Sequence, residues 1–286
     1  EPQRVLFISS YHPAFPTFFQ QVEGIKSAFA NQSILLDIEF MDSKRFPDHE
    51  NLDNFYRSLS TKLSRLQAYD ALITGDDNAL SFALEHQESL FPDLPIVFMG
   101  VNNVAQALAQ DRNPRVTGVI EAVSMKETLE LMVQLHPEAK RIIALVDGTP
   151  SGQGDLSTFY QYQGDFAPVT LSEISLTKLS FDDFGAKLEK LGDEDLVLLL
   201  SAYRDKDGRA LEFNESLDLI TEHLSRPLYH LWYHGMGQGL LGGKLISQFA
   251  QGRSAAEIVI KILSGTPVAE IPVTQESPNS YIFDDR

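Results

Sequence analysis

The sequence predicts an α/β protein of two Rossmann-like lobes, each built on a parallel sheet, and three observations carry that expectation. Short apolar runs alternate with amphipathic stretches, as in successive βαβ units. The alternation runs once through the first 115 or so residues and restarts near Val116. A chain of 286 residues is long enough for two such blocks and short for three.

The elements follow in order. Arg4–Ser9 reads as a buried strand that ends in the polar loop Ser10–Pro13. Phe18, Val22, Ile25 and Phe29 form one helical stripe, and Ile34–Phe40 is a second strand. Leu52, Phe55, Leu59, Leu63 and Leu66 mark a longer helix. Ala71–Thr74 is a strand followed by the polar loop Gly75–Asn78 and a helix, and Pro95–Gly100 is a strand closed by Val101–Asn103.

In the second block, Val116–Glu121 restarts the pattern. Ser124 and Glu127 have capping-box spacing, in which each side chain would satisfy a free N–H at a helix start. Arg141–Asp147 is a strand, and Gly148–Gly152 has turn chemistry. Val169–Leu176 is a strand, Ser180 caps a helix carrying Phe181, Phe184 and Leu188, and Asp195–Ser201 is a deeply buried strand. A helix with Leu217, Ile220 and Leu224 precedes a strand at Pro227–Trp232. The tail adds a glycine-rich loop, a helix over Ala255–Leu263 and a last strand at Ile271–Thr274. The extra helix implies that the chain crosses back to the first lobe and then returns. The expected lobes are therefore 1–117 with 242–267, and 118–241 with 268–286.

Ligands of parallel α/β sheets bind beyond the carboxyl ends of the strands. The candidate binding residues at those ends are Ser10, Tyr11 and His12; Asp76 and Asp77; Asn102 and Asn103; Glu121; Asp147; Tyr203 and Arg204; and Trp232. Two lobes facing each other would set these groups across a cleft. Hydrogen-bonding groups mixed with aromatics suit a small polar ligand with some flat or apolar surface. Each residue has a plainer role. Asp76 and Asp77 precede a helix and can cap it, and Asn102 and Asn103 suit a turn. Arg204 can clamp a ligand carboxylate or pair with Asp205 or Asp207. Trp232 can be core or a stacking platform.

The net charge of −17 opposes binding to nucleic-acid phosphates or anionic lipid headgroups. It favours solubility and, weakly, a cationic or zwitterionic ligand. With no cysteine there can be no disulfide, thiolate metal site or cysteine nucleophile. Gly237–Gly242 matches GxGxxG, but the extended-looking Gly243–Ser247 follows where a dinucleotide site needs a helix. Close backbone approach accounts for these glycines better. Asp205–Gly208 lacks the later ligands of a calcium loop, and His230 and His234 lack further ligands for zinc. No enzyme motif is found, so neither catalysis nor a cofactor is expected.

These pieces together resemble the ABC-transporter substrate-binding-protein-like sensor domains of bacterial histidine kinases and diguanylate cyclases. The matching stretches are Val5–His12, Asp76–Leu80, Leu90–Pro92, Pro95–Asn103, Gly118–Glu121, Leu135–Pro137, Arg204–Arg209 and Gly252–Ala256. The resemblance covers nearly the whole chain and rests on the order and spacing of the pieces. It implies a type I periplasmic-binding fold with a three-strand hinge and a ligand-closed cleft. The closing stretch, residues 281–286, resembles the approach to a second membrane helix. The expected function is therefore that of a periplasmic solute-sensing ectodomain. It would be joined to the membrane through flanking segments, with a homodimer among its expected partners. The alternative is the substrate-binding protein of an ABC importer, handing a small solute such as an amino acid to a permease.

Overall fold

A computed structural model describes residues 1–285. Arg286, the end of the stretch that resembles a membrane approach, lies outside the described residues. In chain order the elements are β1 (Gln3–Ser9), α1 (Phe18–Phe29), β2 (Ile34–Phe40), α2 (His49–Leu63), β3 (Ala71–Gly75), α3 (Asp76–Glu85), α4 (Gln87–Leu90), β4 (Ile96–Val101), α5 (Val104–Ala109) and β5 (Val116–Ile120). Then come α6 (Met125–Leu135), β6 (Arg141–Val146), α7 (Pro150–Gln161), β7 (Thr170–Ser175), α8 (Phe181–Leu188), β8 (Asp195–Leu199), α9 (Phe213–His223), β9 (Leu228–Tyr229), β10 (Gly242–Leu245), α10 (Gln248–Leu263) and β11 (Ser280–Phe283). No helix among the described residues is long and apolar enough to cross a membrane.

The chain forms two compact units. Glu1–Ala122 and Ser247–Pro278 make the first; Val123–Ile246 and the segment from Asn279 make the second. The backbone thus passes from one unit to the other three times. The first unit's sheet is wholly parallel, in the order β2-β1-β3-β4-β5. The second unit's sheet has the order β11-β10-β9-β8-β6-β7, parallel except for the β10–β11 pair.

Both sheets are covered on both faces, which is why their strands read as continuous apolar runs rather than alternating ones. In β1, Leu6 and Ile8 enter one core with Phe55, Leu59 and Phe82, while Val5 and Phe7 enter another with Ile25, Ala255 and Val259. In β6, Ile142 and Ala144 pack with Met132 and Phe159, while Ile143 and Leu145 pack with Phe184 and Leu217. In the first unit, α1 and α10 cross with their backbones almost touching. A Cβ on Gly252 would lie 2.1 Å from the Gln21 carbonyl oxygen, and one on Gly24 would lie 2.1 Å from that of Phe249.

Several local expectations need correction. β5 does not open the second block; it is the edge strand of the first sheet, because its buried face joins the first core through Val116 and Ile120. The stretch 242–246, expected in the first lobe, pairs instead with β9 and β11 in the second sheet. Residues 268–278, expected in the second lobe, belong to the first unit. Ile271–Thr274 is no strand: a single bridge joins Thr274 to Val119, and the last strand is β11. The capping box at Ser124 does not form, since Ser124 accepts from the Asn279 amide and Glu127 pairs with Lys244. The loops expected at Gly75–Asn78 and Gly148–Gly152 are helix starts, as α3 begins at Asp76 and α7 at Pro150 behind the Thr149 cap. The expected strand over Pro227–Trp232 is regular only at Leu228 and Tyr229. The glycine-rich loop is set by backbone approach, since Cβ atoms on Gly242 and Gly243 would lie 2.0 Å from the Ile282 oxygen and 2.3 Å from the His230 oxygen.

Candidate functional site

In each sheet the strand order reverses about its first strand in the chain: β2 lies on one side of β1 and β3 on the other, and β7 and β8 lie on either side of β6. Helices diverge to both faces there, opening a crevice at the carboxyl ends of the strands. The sequence-predicted residues gather at these two places.

In the first unit, Ser10 follows β1. It is wholly buried, donating its hydroxyl to the Gly75 carbonyl (2.6 Å) and accepting from the Ala79 amide (2.8 Å). That holds β1 to the start of α3, so its hydrogen-bonding capacity serves the fold. Asp77 does the same for β4 by accepting from the Asn102 and Asn103 amides at 3.3 and 3.2 Å. The Asn103 side chain in turn caps α5 through the Gln106 amide. His12 is half-buried, and its Nδ1 accepts from the Ala14 amide. Tyr11 stacks on Phe15 with ring centroids 4.2 Å apart. Its phenol is pushed up by burial and by the negative field of Asp76, Asp77 and Glu121.

Asp76 and Glu121 differ from these. Asp76 is buried and held in left-handed backbone, with φ +71°, a strained conformation costing about 1–3 kcal/mol. Burial and then repulsion from Glu121 raise its carboxyl well above the ordinary range, against a hydrogen bond from Gln21. Burial raises Glu121 to about 7, opposed by hydrogen bonds from Gln248 and Asn102. A chain of amides links the two acids: Gln21 donates to Asp76 and to the Gln248 oxygen, and Gln248 donates to Glu121. Neither acid takes part in an ion pair among the described residues. Buried carboxyls without a cation favour the neutral form or the arrival of a positive group.

In the second unit, Asp147 follows β6 and ties the crevice together. Its Oδ1 accepts from the Thr149 amide and hydroxyl and from the Ser201 hydroxyl; its Oδ2 accepts from the Tyr203 amide at 2.7 Å. Burial opposes its charge, but these hydrogen bonds outweigh burial and hold the carboxyl below the ordinary range. Arg204 is exposed, forms a backbone bridge with Ala210 and makes no ion pair with Asp205 or Asp207. Asp205 instead accepts from the Phe181, Asp207 and Arg209 amides.

Beside this knot, at the carboxyl ends of β8 and β9, lies a cavity of about 130 Å³. Leu199, Ala202 and Phe213 line it together with Tyr203, Trp232, His230 and His234, and Ser151 and Asp155 at the start of α7 complete it. His230 is 2% exposed, its Nδ1 lies 2.8 Å from the Leu199 carbonyl, and its Nε2 has no partner. Burial and then His234 depress the imidazole to about 3. Burial raises Asp155 to about 6. Among the described residues no group of His, Asp or Glu is arranged to hold a metal ion.

The structure therefore brings Tyr203 and Trp232 to one cavity, sets Tyr11, Asp76 and Glu121 within one another's electrostatic field, and leaves Arg204 outside the cavity. Sequence reading missed Gln21, Gln248 and Gln251 in the first unit and Phe213, Ser151 and Asp155 in the second. A trace of the glutamines was present: Gln21 stands three residues after Phe18 in an apolar stripe, and Gln251 four before Ala255. Gln251 donates to the Ile120 carbonyl and accepts from the Gly100 amide, which explains its burial.

No family model matches the chain, and no curated protein matches it. Solved structures do. The ligand-free, open structure of CD0873, a substrate binding protein with adhesive properties from Clostridium difficile, has a TM-score of 0.71 at 15% identity, over 99% of this chain and 92% of that one. The amino acid ABC transporter substrate-binding protein from Pseudomonas fluorescens Pf-5 has a TM-score of 0.59 at 13% identity, over 98% and 86%. The ABC domain in complex with L-Trp from Streptococcus pneumonia has a TM-score of 0.55 at 16% identity, over 99% and 92%. Two sheets of mostly parallel strands and this likeness make the chain a type I periplasmic-binding-protein fold.

Proposed function

We propose that this chain is an extracytoplasmic binding protein for a small solute and not an enzyme. The observation that carries the reading is the cavity at the carboxyl ends of β8 and β9, where one nitrogen of a buried imidazole lacks a hydrogen-bond partner among the described residues, beside the only tryptophan of the chain. Binding sites of this kind are concave, largely apolar and furnished with a few placed polar groups. The net charge of −17 favours a solute with a positive or zwitterionic end. Uptake proteins among the solved structures of this fold support the role of an importer's substrate-binding protein. The membrane-sensor role rests on the sequence resemblance alone.

The test is a thermal-melt screen against amino acids, polyamines, sugars and polyols. A ligand present at a hundred times its Kd stabilises the folded state by about 2.7 kcal/mol, enough for a clear shift. A zwitterionic or cationic member should raise the melting temperature. Failure of every class would refute the solute-binding role.

A further inference from the structure

We propose that the cavity beside β8 and β9 is a subsite for a planar ring bearing an N–H or O–H donor, and that the Nε2 of His230 receives that donor. The inference rests on the solute-binding reading above and adds the chemistry of the group that enters this cavity.

The tautomer of His230 follows from its partner. Nδ1 faces the Leu199 carbonyl at 2.8 Å. A carbonyl oxygen only accepts, so Nδ1 carries the hydrogen and Nε2 keeps a bare lone pair. The ring is 2% exposed, and its backbone sits at the end of a buried strand, so this lone pair has a fixed position. Nothing among the described residues donates to it. Most buried polar atoms in folded proteins are hydrogen-bonded, and of the unpartnered ones here His230 is the one that lines this cavity, which has room for a group that arrives later.

The surroundings specify that group. The Phe213 ring lies nearly parallel to the imidazole, 6.0 Å between centroids, and Trp232 is tilted against it at 5.2 Å. The His234 ring stands edge-on at 5.2 Å. Flat walls of this kind favour offset or edge contacts with another ring. The volume of about 130 Å³ is close to that of an engineered cavity that holds benzene, about 150 Å³. A metal is not the missing partner, since no ligand cluster stands among the described residues. A solute that matches shape and lone pair together is a phenol, an indole or a similar ring with a polar hydrogen.

Phenol and fluorobenzene test this directly, being nearly the same shape but with only phenol able to donate. Binding is followed by ligand-observed NMR, and the imidazole nitrogens are read from the protein labelled with 15N-histidine. Phenol should bind about tenfold more tightly than fluorobenzene, and the Nε2 resonance of His230 should move toward that of a hydrogen-bonded acceptor. His230→Asn can keep an N–H toward the Leu199 carbonyl but has no counterpart of Nε2, so it should bind both probes equally. The wild-type nitrogen shift stands even if that variant folds poorly. Equal affinities in the wild type, or an unmoved Nε2 resonance with phenol bound, would overturn the proposal. If a library solute stabilises the protein yet leaves Nε2 unmoved, the subsite is wrong and the binding-protein role survives. If no library solute stabilises the protein but phenol moves Nε2, the subsite stands and that role fails.

Discussion

Replacing Gly252 by alanine sets two effects of opposite sign against each other. A glycine inside α10 costs helix stability, and alanine there would by itself gain about 1 kcal/mol. The new Cβ, however, would lie 2.1 Å from the Gln21 carbonyl oxygen, 2.9 Å from its carbon and 3.1 Å from its Cα. These are backbone atoms of α1 and cannot rotate away. A carbon normally approaches such an oxygen no closer than about 3.3 Å, so α1 must retreat by about 1 Å. A gap of that size forfeits about a quarter to a half of each dispersion contact it opens. The affected contacts include Val22, Ile25, Ala255 and Val259. Overpacking costs about 1–3 kcal/mol in ordinary cores, and an obstacle of backbone puts this site at the upper end. The expected balance is a net loss of about 2 kcal/mol, or about 4–8 °C in melting temperature. The retreat would also pull Gln21 away from Gln248 and Asp76. Gly154→Ala is the control. It lies in α7 with nothing within 4 Å of its would-be Cβ, so it should gain about 0.5–1 kcal/mol. Far-UV circular dichroism melts of both variants are the assay. A Gly252→Ala protein as stable as the wild type, or a Gly154→Ala protein equally destabilised, would refute the reasoning.

Other perturbations follow from the same geometry. Glu121 has its folded value raised from 4.5 to about 7, so the native state holds a proton that the unfolded chain has released, and stability falls as pH rises through that window. Glu121→Gln should flatten this slope and raise stability at pH 8 by up to about 3 kcal/mol, as read from melts between pH 4 and 9. Asp147 is displaced the other way, so its contribution is present above the ordinary carboxylate range and disappears on acidification through its lowered folded value. Asp147→Asn turns an amide against at least one of the donors from Thr149, Ser201 and Tyr203. It should lose about 2–3 kcal/mol at neutral pH in urea titrations, and an unchanged midpoint would contradict the knot. Trp232 lines the cavity and is the only tryptophan, so a solute that enters should change the intrinsic emission. A solute that stabilises the protein without altering emission binds elsewhere.

The order of strands and helices was legible because burial on both sheet faces leaves continuous apolar runs, as in Val5–Ile8 and Leu196–Leu199, that local sequence displays directly. The tips of those strands were legible too, since a polar residue after such a run must lie at a sheet edge; Ser10, Asp76, Asp147 and Tyr203 all stand there. What each polar group does there depends on partners far along the chain. Ser10 and Asp77 look like ligand contacts in sequence, yet their partners are backbone amides 25 to 69 residues away. Glu121 and Asp76 become an unusual acid pair because the fold buries both, and they are joined only through Gln21 and Gln248, 227 residues apart, which meet between them. The sheet to which β5 and β10 belong was likewise decided by long-range pairing, to which a local pattern is blind. His230 is the clearest case. Its sequence neighbourhood reads as an ordinary strand end, and only the packed fold, by giving one ring nitrogen to Leu199 and burying the other without a partner, makes it a place for something else to bind.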